Sequence, residues 1–284
     1  MRQLETRPQT TTKLAALALL VFFLQPGMAI SADPPLEIDA APPSPESILK
    51  RAFDNQYDVN TTSTVELVVH NKSGQERRRK MRAAQKIIGD RVHAIGRLTY
   101  PEYLRDMAIL QIEEPDRTHN AFVYMPSLSK VRRVSTSQRG DAFFGTDITY
   151  EDIERRYIED YEVIDIRADK RNGEDIFVIR ARPQRRTSYA EVVFSIAQAD
   201  DVILGADYYK RDAEVPFRTL AVHREGMIEE GGHKLATRIT VKNVARGSRT
   251  EVTFKDLRVN PEIDDRLFSV RTLDQERHLH KGFD

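Results

Sequence analysis

Apolar residues recur at every second position through much of this 284-residue chain, and this period constrains the fold more than any other feature. Successive side chains of a strand point to opposite faces, so each run predicts a strand with one buried and one solvated face. In the second half, the residues on one parity are Ala190, Val192, Phe194 and Ile196, then Val202, Leu204, Ala206 and Tyr208, then Leu235, Thr237, Ile239 and Val241, and finally Val252 and Phe254. Turn-forming pairs such as Asn172-Gly173 and Gly231-Gly232 favour antiparallel pairing.

The first half continues the pattern with more charged residues. Val65, Leu67 and Val69 share one face of a strand that begins near residue 61. Further strands are predicted over residues 75–88, 91–99, 106–113 and 120–125.

Helical spacing is confined to three short segments, at about residues 46–56, 149–158 and 261–269. Because strands outnumber helices, the sequence predicts a mainly β (α+β) fold, in which one strongly curved antiparallel sheet forms an unclosed barrel with a few lid helices. A sandwich of two sheets is the alternative. A curved sheet either encloses an apolar cavity for an acyl chain or is filled by its own side chains, and periodicity does not distinguish these two arrangements.

If the sheet encloses a cavity, the residues on the inward parity are the candidates for its lipid-binding lining. They are Val192, Phe194, Ile196, Leu204, Ile239, Val241, Val252 and Phe254. Phe143 and Phe144 lie between two glycines in a loop that we predict to gate the cavity, with one of the pair exposed unless the loop folds inward.

The N-terminal segment has the features of an export signal. Residues 1–13 carry three basic residues and one acidic residue, an uninterrupted apolar run follows from Leu14 to Leu24, and small residues precede a cleavage site after Ala32. The run is about half as long as the ~20 residues of a membrane-spanning helix, which favours a cleaved signal over an uncleaved anchor. We expect a signal peptide (1–32), a Pro-rich linker (33–45), a folded domain (46–273) and a charged tail (274–284), with the mature protein soluble outside the cytoplasm.

Residues that commonly carry catalysis are sparse. The absence of cysteine excludes a thiol nucleophile and a Cys-ligated metal, and there is no zinc-protease, serine-hydrolase or phosphate-loop motif. Ser127 and Lys130 fit the S-x-x-K pattern of acyl-transfer enzymes, but the companion motifs are missing and a polar turn explains them better. His278 and His280 are only a weak metal candidate. The sequence therefore predicts no enzyme, no cofactor and no metal site.

The balance of 44 basic and 44 acidic residues gives a net charge of +0, which argues against a nucleic-acid partner. Basic residues nevertheless cluster at Arg77 to Lys80 with Arg82, and at Lys130 with Arg132 and Arg133. A solvated strand face is the simpler explanation. The functional alternative is docking to an acidic partner or to anionic headgroups, for which Arg132 and Arg133 are the candidates.

The most specific pattern runs from Tyr124-Met125-Pro126 through Lys130-Val131-Arg132-Arg133-Val134 to the segment 139–152, RGDAFFGTDITYED. This stretch resembles the core signature of the bacterial outer-membrane lipoprotein-sorting (LolA-like) protein family, in which a K/R-V-R-R-I strand leads into a G-S/T-D-F-T-Y-E-D loop. The segment 260–268, NPEIDDRLF, resembles the family's last turn. Ile148 stands where the family usually has Phe, and this domain is longer than the dedicated lipoprotein carrier.

The resemblance covers residues 46–273 and implies an unclosed barrel, lidded by helices, in the periplasm of a Gram-negative bacterium. It implies a carrier without catalytic residues that binds a lipid or a lipoprotein acyl chain in an apolar cavity for transfer towards the outer membrane. Other members are associated with resistance–nodulation–division type exporters, so a non-catalytic accessory protein that docks on an exporter through a basic face is the alternative. No individual site residue is carried over from the family.

Overall fold

The computed structural model of the protein describes residues 43–275. The predicted signal peptide, nearly all of the predicted linker and most of the predicted tail lie outside these residues. Within them, no helix combines the length and the apolar character needed to cross a bilayer.

The described residues form one α-helix, α1 (Pro45–Tyr57), fifteen strands and several short 3-10 turns. The strands are β1 Thr61–His70, β2 Glu76–Ile88, β3 Arg91–Tyr100, β4 Ala108–Glu113, β5 His119–Met125, β6 Lys130–Arg133, β7 Tyr161–Arg171, β8 Glu174–Pro183, β9 Glu191–Ala197, β10 Ile203–Tyr209, β11 Arg218–Val222, β12 Met227–Glu230, β13 His233–Ala236, β14 Arg238–Asn243 and β15 Ser248–Val259.

Thirteen of the strands form one antiparallel sheet, in the order β6-β5-β4-β3-β2-β1-β15-β14-β11-β10-β9-β8-β7. The two edge strands, β6 and β7, do not pair with each other, so the sheet does not close. Strands β12 and β13 form a separate hairpin, and the predicted run from Leu235 to Val241 is therefore divided between two sheets. The architecture confirms the predicted mainly β fold built as an unclosed barrel, and it excludes the sandwich.

Helix α1 confirms the prediction for residues 46–56, and local sequence explains where it begins. The hydroxyl of Ser44 accepts a hydrogen bond from the amide of Ser47 at 3.2 Å, and Pro45 occupies the first turn, where its missing N–H costs nothing. Ile48 and Phe53 are among the residues that α1 buries against β8, β9 and β10. The helix thereby covers one part of the concave face.

Polar side chains fasten the C-terminal end of α1. The side-chain amide of Asn55 donates to the carbonyl oxygen of Lys234 at 2.8 Å and accepts from its N–H at 2.9 Å, which joins α1 to β13. The amide of Gln85 on β2 donates to the carbonyl oxygens of Tyr57 and Val59 at 3.2 and 3.0 Å. These hydrogen bonds therefore join the C-terminal end of α1 to both β13 and β2.

The predicted helix over residues 149–158 is wrong. A single 3-10 turn spans Tyr150–Asp152 there. Glu151 accepts hydrogen bonds from the amide and hydroxyl of Ser188, whereas Asp152 pairs with an arginine of β11. In a surface helix only one face contacts the rest of the protein. Glu151 and Asp152 are consecutive but bind two different elements, which a helix at this position would not allow. The predicted helical segment at about residues 261–269 contains only a 3-10 turn, Asp265–Phe268.

The alternation predicted for residues 202–208 does not hold along the whole run, because Val202 and Leu204 belong to a different cluster from Ala206 and Tyr208. A β-bulge interrupts the pairing of β9 with β10 between Ile203 and Gly205. A bulge adds one residue and so reverses the parity of the side chains beyond it. Val202 and Leu204 consequently pack in a separate cluster with Ile176, and Ile203 packs against the cluster beneath α1.

We expect Phe53→Ala to lower the free energy of unfolding by about 3–5 kcal/mol, because it leaves a cavity between α1 and the sheet. The Phe53 ring lies 5.5 Å from that of Phe194 and 5.7 Å from that of Tyr161. Urea unfolding followed by circular dichroism measures the change. Lys50→Ala, on the exposed side of the same helix, loses only an ion pair with Asp54 and should cost less than about 1 kcal/mol. Equal losses for the two variants would contradict the role of α1 as a packed lid.

Candidate functional site

A cavity of about 340 Å³ lies between the sheet, helix α1 and the loop that follows β6. Apolar side chains from both halves of the sheet form most of its wall. They include Val65, Leu67, Met81, Ile95, Ile109 and Leu220. The concave face is therefore not filled completely by its own side chains, and of the two arrangements that the sequence left open the structure has the hollow one.

Four of the predicted lining residues lie on this wall. They are Ile239 and Val241 of β14 and Val252 and Phe254 of β15. Val252 is paired with Ile239 across the two strands, so the four side chains form one continuous apolar patch.

The other four predicted lining residues lie elsewhere. Val192, Phe194 and Ile196 of β9 have no exposed surface and pack beneath α1. Leu204 lies behind the bulge in β10, on the other face. The parity prediction identified the apolar face of β9, but it did not reveal that α1 rather than the cavity covers that face.

The predicted gate loop forms part of the cavity wall. Phe143 is only 3% exposed and faces the cavity, as does Ile148 further along the loop. Phe144 is half-buried and has a left-handed backbone with φ of 46°, and its carbonyl oxygen accepts a hydrogen bond from Nε of Arg79 at 2.7 Å. The ring of Phe144 packs against the same core cluster as Phe143, with the two ring centroids 4.4 Å apart, so the loop folds inward. That this loop opens stays a prediction.

A buried ion pair connects this loop to β11. The guanidinium of Arg218 is 2% exposed and binds both carboxylate oxygens of Asp152, with Nη2 donating to Oδ1 at 2.8 Å. Nη1 of Arg218 also donates to the Thr149 hydroxyl at 3.0 Å, and the group lies 4.4 Å from the ring of Tyr208. Burial lowers the pKa of Arg218, but the charge of Asp152, its hydrogen bond with Arg218 and the nearby Tyr208 and Glu151 together outweigh burial, so the net pKa is raised.

A second arginine on the wall, Arg156, is held by tyrosines. It donates to the hydroxyl oxygens of Tyr57 at 3.3 Å and of Tyr208 at 3.1 Å, and it lies 3.7 Å from Asp152. Burial raises the pKa of Tyr57 to about 12, so its hydroxyl stays protonated at neutral pH. The apolar cavity thus has one polar end, where two guanidinium groups share one carboxylate.

The sequence reasoning missed this polar end. Arg218, Leu220 and Val222 share one parity of β11, and all three line the cavity. A single arginine on an otherwise apolar parity was the available signal, but the five-residue strand is too short for its period to stand out. Asp152 belongs to the family-like segment 139–152, but nothing in that pattern indicates a buried ion pair.

The remaining candidate residues lie on the surface. Arg132 and Arg133 are exposed on the edge strand β6, where Arg133 donates to the side chain of Asn120. Ser127 is exposed in the 3-10 turn Pro126–Leu128, as the predicted polar turn requires, whereas Lys130 is exposed as the first residue of β6. Among residues 43–275, no group of three or more His, Cys, Asp or Glu side chains is arranged to hold a metal ion. His278 and His280 lie outside the described residues.

Comparison with solved structures shows the same fold. A domain from Vibrio parahaemolyticus, named as an outer-membrane lipoprotein-sorting protein domain, has a TM-score of 0.75 at 22% identity, covering 81% of this chain and 98% of its own. A DUF1329 family protein from Desulfovibrio piger gives 0.73 at 20% identity, covering 80% and 97%. A LolA superfamily protein from Nitrosomonas europaea gives 0.65 at 20% identity, covering 81% and 99%.

Sequence comparison adds a family match. A family model described as "-like: Uncharacterized protein" matches residues 90–275, which is well over half of the chain. No curated protein matches the sequence. The matched range contains both the loop that walls the cavity and the buried arginines.

We expect Asp152→Asn to lower the free energy of unfolding by about 3–5 kcal/mol, because it leaves two buried guanidinium groups without their counter-charge. Thermal and urea unfolding measure this loss. Asp169→Asn is the matched control, since Asp169 pairs with Arg167 at the surface, where both side chains are about half-exposed, and the change should cost less than about 1 kcal/mol. A small effect of both substitutions would mean that the buried pair does not hold the loop in place.

Proposed function

Because the chain belongs to the family whose model it matches over residues 90–275 and has the LolA-like lipoprotein-sorting fold, we propose that it is a periplasmic carrier. It binds a lipid or a lipoprotein acyl chain in its cavity for transfer towards the outer membrane. The single observation that carries the proposal is the apolar cavity of about 340 Å³ beneath α1 and the loop after β6.

The size and the lining of the cavity support an acyl ligand. Pockets that bind small molecules commonly enclose about 300–1,000 Å³ and are mostly apolar with a few polar groups, as this one is. Each buried methylene contributes roughly 0.8 kcal/mol, so about ten methylenes contribute ~8 kcal/mol before the costs of binding. That limits the affinity to about micromolar at best, which suits a carrier that must also release its ligand.

The periplasmic location rests on the sequence of the first 32 residues, with its basic start, short apolar run and small residues before the expected cleavage site. The transfer direction rests on the names of the similar structures, two of which refer to lipoprotein sorting or to the LolA superfamily. A carrier without catalytic residues also agrees with the sparse chemistry of the sequence.

We expect Ile239→Trp to weaken the binding of a fluorescent acyl probe by about tenfold or more, because the indole occupies space that the chain would fill. The domain should stay folded, since the added volume enters an existing hollow rather than a filled core. Lys242→Trp is the control, because Lys242 is exposed on the opposite parity of the same strand. Probe binding by Ile239→Trp that equals binding by the wild type would exclude this cavity as the acyl site.

The accessory role at an exporter stays a second proposal because of the position of Arg132. This side chain is exposed on an edge strand, and no ion pair to it is found among the described residues. Edge strands offer unpaired backbone groups to a partner, and basic side chains attract an acidic one. Leu128, which is 52% exposed beside the strand, adds apolar surface to the same region.

Charge reversal tests this docking face. We expect Arg132→Glu with Arg133→Glu to abolish cross-linking between the protein and an inner-membrane exporter subunit, measured in cells with a photo-cross-linker at residue 128, while acyl-probe binding changes less than about twofold. Arg167→Glu and Lys170→Glu, on the opposite edge strand β7, serve as the charge-matched control. Unchanged cross-linking after reversal at β6 would exclude docking through this face.

A further inference from the structure

We propose that the cavity selects amphiphiles with an anionic head group, and that Arg156 and Arg218 bind this head at its polar end. The inference rests on the proposed function, because it adds the chemical class of the ligand to a cavity proposed to hold its acyl chain. It follows from the charges and the hydrogen-bonding groups that face the interior.

Among the side chains that line the cavity, basic groups outnumber acidic ones. Arg156, Arg218 and Asp152 all line the cavity, and Asp152 is the only acid in the described part of the chain that forms an ion pair with either arginine. Glu151, the next carboxylate along the loop, binds Ser188 and is not part of the wall, although its charge contributes to the raised pKa of Arg218. The polar end therefore presents two cations and one anion to the space beside it.

Lys234 is the one further charged residue on the wall, and it does not change this result. Its ammonium group lies 3.4 Å from Asp200 and 3.9 Å from Glu229, both outside the cavity lining. Its charge is therefore compensated outside the cavity.

The arginines and two tyrosines supply hydrogen-bond donors at this end, while the wall also carries one buried acceptor that has no partner in the described part of the chain, Oε1 of Gln111. Nε of Arg218 is buried and has no hydrogen-bond partner within residues 43–275. The hydroxyl oxygens of Tyr57 and Tyr208 accept from Arg156, which leaves their own protons available to donate into the cavity. A buried donor without a partner is costly, and an oxygen-rich anion would remove that cost.

The geometry therefore favours a ligand whose apolar chain lies along the patch formed by β14 and β15 and whose negatively charged oxygens meet the arginines. A fatty carboxylate and a lipid phosphate share this chemistry. A neutral alcohol or ester of the same chain length has the apolar part but lacks the charge, so a comparison of head groups at fixed chain length isolates the contribution of the polar end.

The test measures dissociation constants of the full domain at pH 8 for dodecanoate, dodecyl phosphate and 1-dodecanol, by displacement of a fluorescent acyl probe. We expect the wild type to bind at least one of the two anions about tenfold or more tightly than the alcohol, since hydrogen bonds to charged groups are stronger than neutral ones. Whichever anion binds more tightly identifies the head group as carboxylate or phosphate.

Arg156→Gln is the informative variant, because it removes one positive charge and leaves the Arg218–Asp152 pair intact. We expect it to abolish the preference for the anion while the affinity for 1-dodecanol changes less than about twofold. Arg155→Gln, the neighbouring arginine, which pairs with Asp58 and is not on the wall, should keep the full preference. The Asp152→Asn variant, if it folds, should show a larger increase in melting temperature with the anion than the wild type does.

The outcomes separate this inference from the proposed function. Equal affinities of the wild type for the anions and the alcohol, or a preference that persists in Arg156→Gln, would overturn the anionic selectivity and leave the acyl carrier in place. Failure of all three ligands to bind would overturn the carrier itself, and the selectivity with it.

Discussion

The bidentate ion pair between Asp152 and Arg218 is the contact on which the rest of the structure depends. A single sheet with one apolar face must cover that face, and here the strands alone do not close around it. The pair joins the loop after β6, near one edge of the sheet, to β11 in the other half. Because a buried charge is tolerated only with its partner, the pair fixes the loop at one position over the interior.

Helix α1 and this loop divide the concave face between them. The helix fills the region above β8, β9 and β10 with Phe53 and its neighbours, so that part is an ordinary core. The loop covers the region above β14 and β15 with less side-chain volume, and a hollow of about 340 Å³ is left. One sheet thus contains both a packed half, which supplies stability, and a hollow half, which supplies a binding space.

The sequence predicted what depends on local periodicity and missed what depends on long-range contacts. Strand parity gave the fold class and placed Ile239, Val241, Val252 and Phe254 on the cavity wall. Parity did not show that α1 covers Phe194, because that contact joins residues that are distant in the sequence. The bulge at Leu204 and the irregular backbone after Thr149 both follow from tertiary pairing, which local spacing does not encode. Arg218 was missed because a single charged residue in a short strand has no period of its own.

The central claim is that an acyl chain lies in the hollow half of the sheet, and NOEs between a bound fatty acid and the methyl groups of the protein test it most directly. We expect contacts from the chain protons to the methyl groups of Ile109, Ile239 and Val252, which line the cavity, and none to those of Val192 and Ile196, which are packed beneath α1. Contacts confined to exposed methyl groups, or absent altogether at saturating ligand, would contradict the claim.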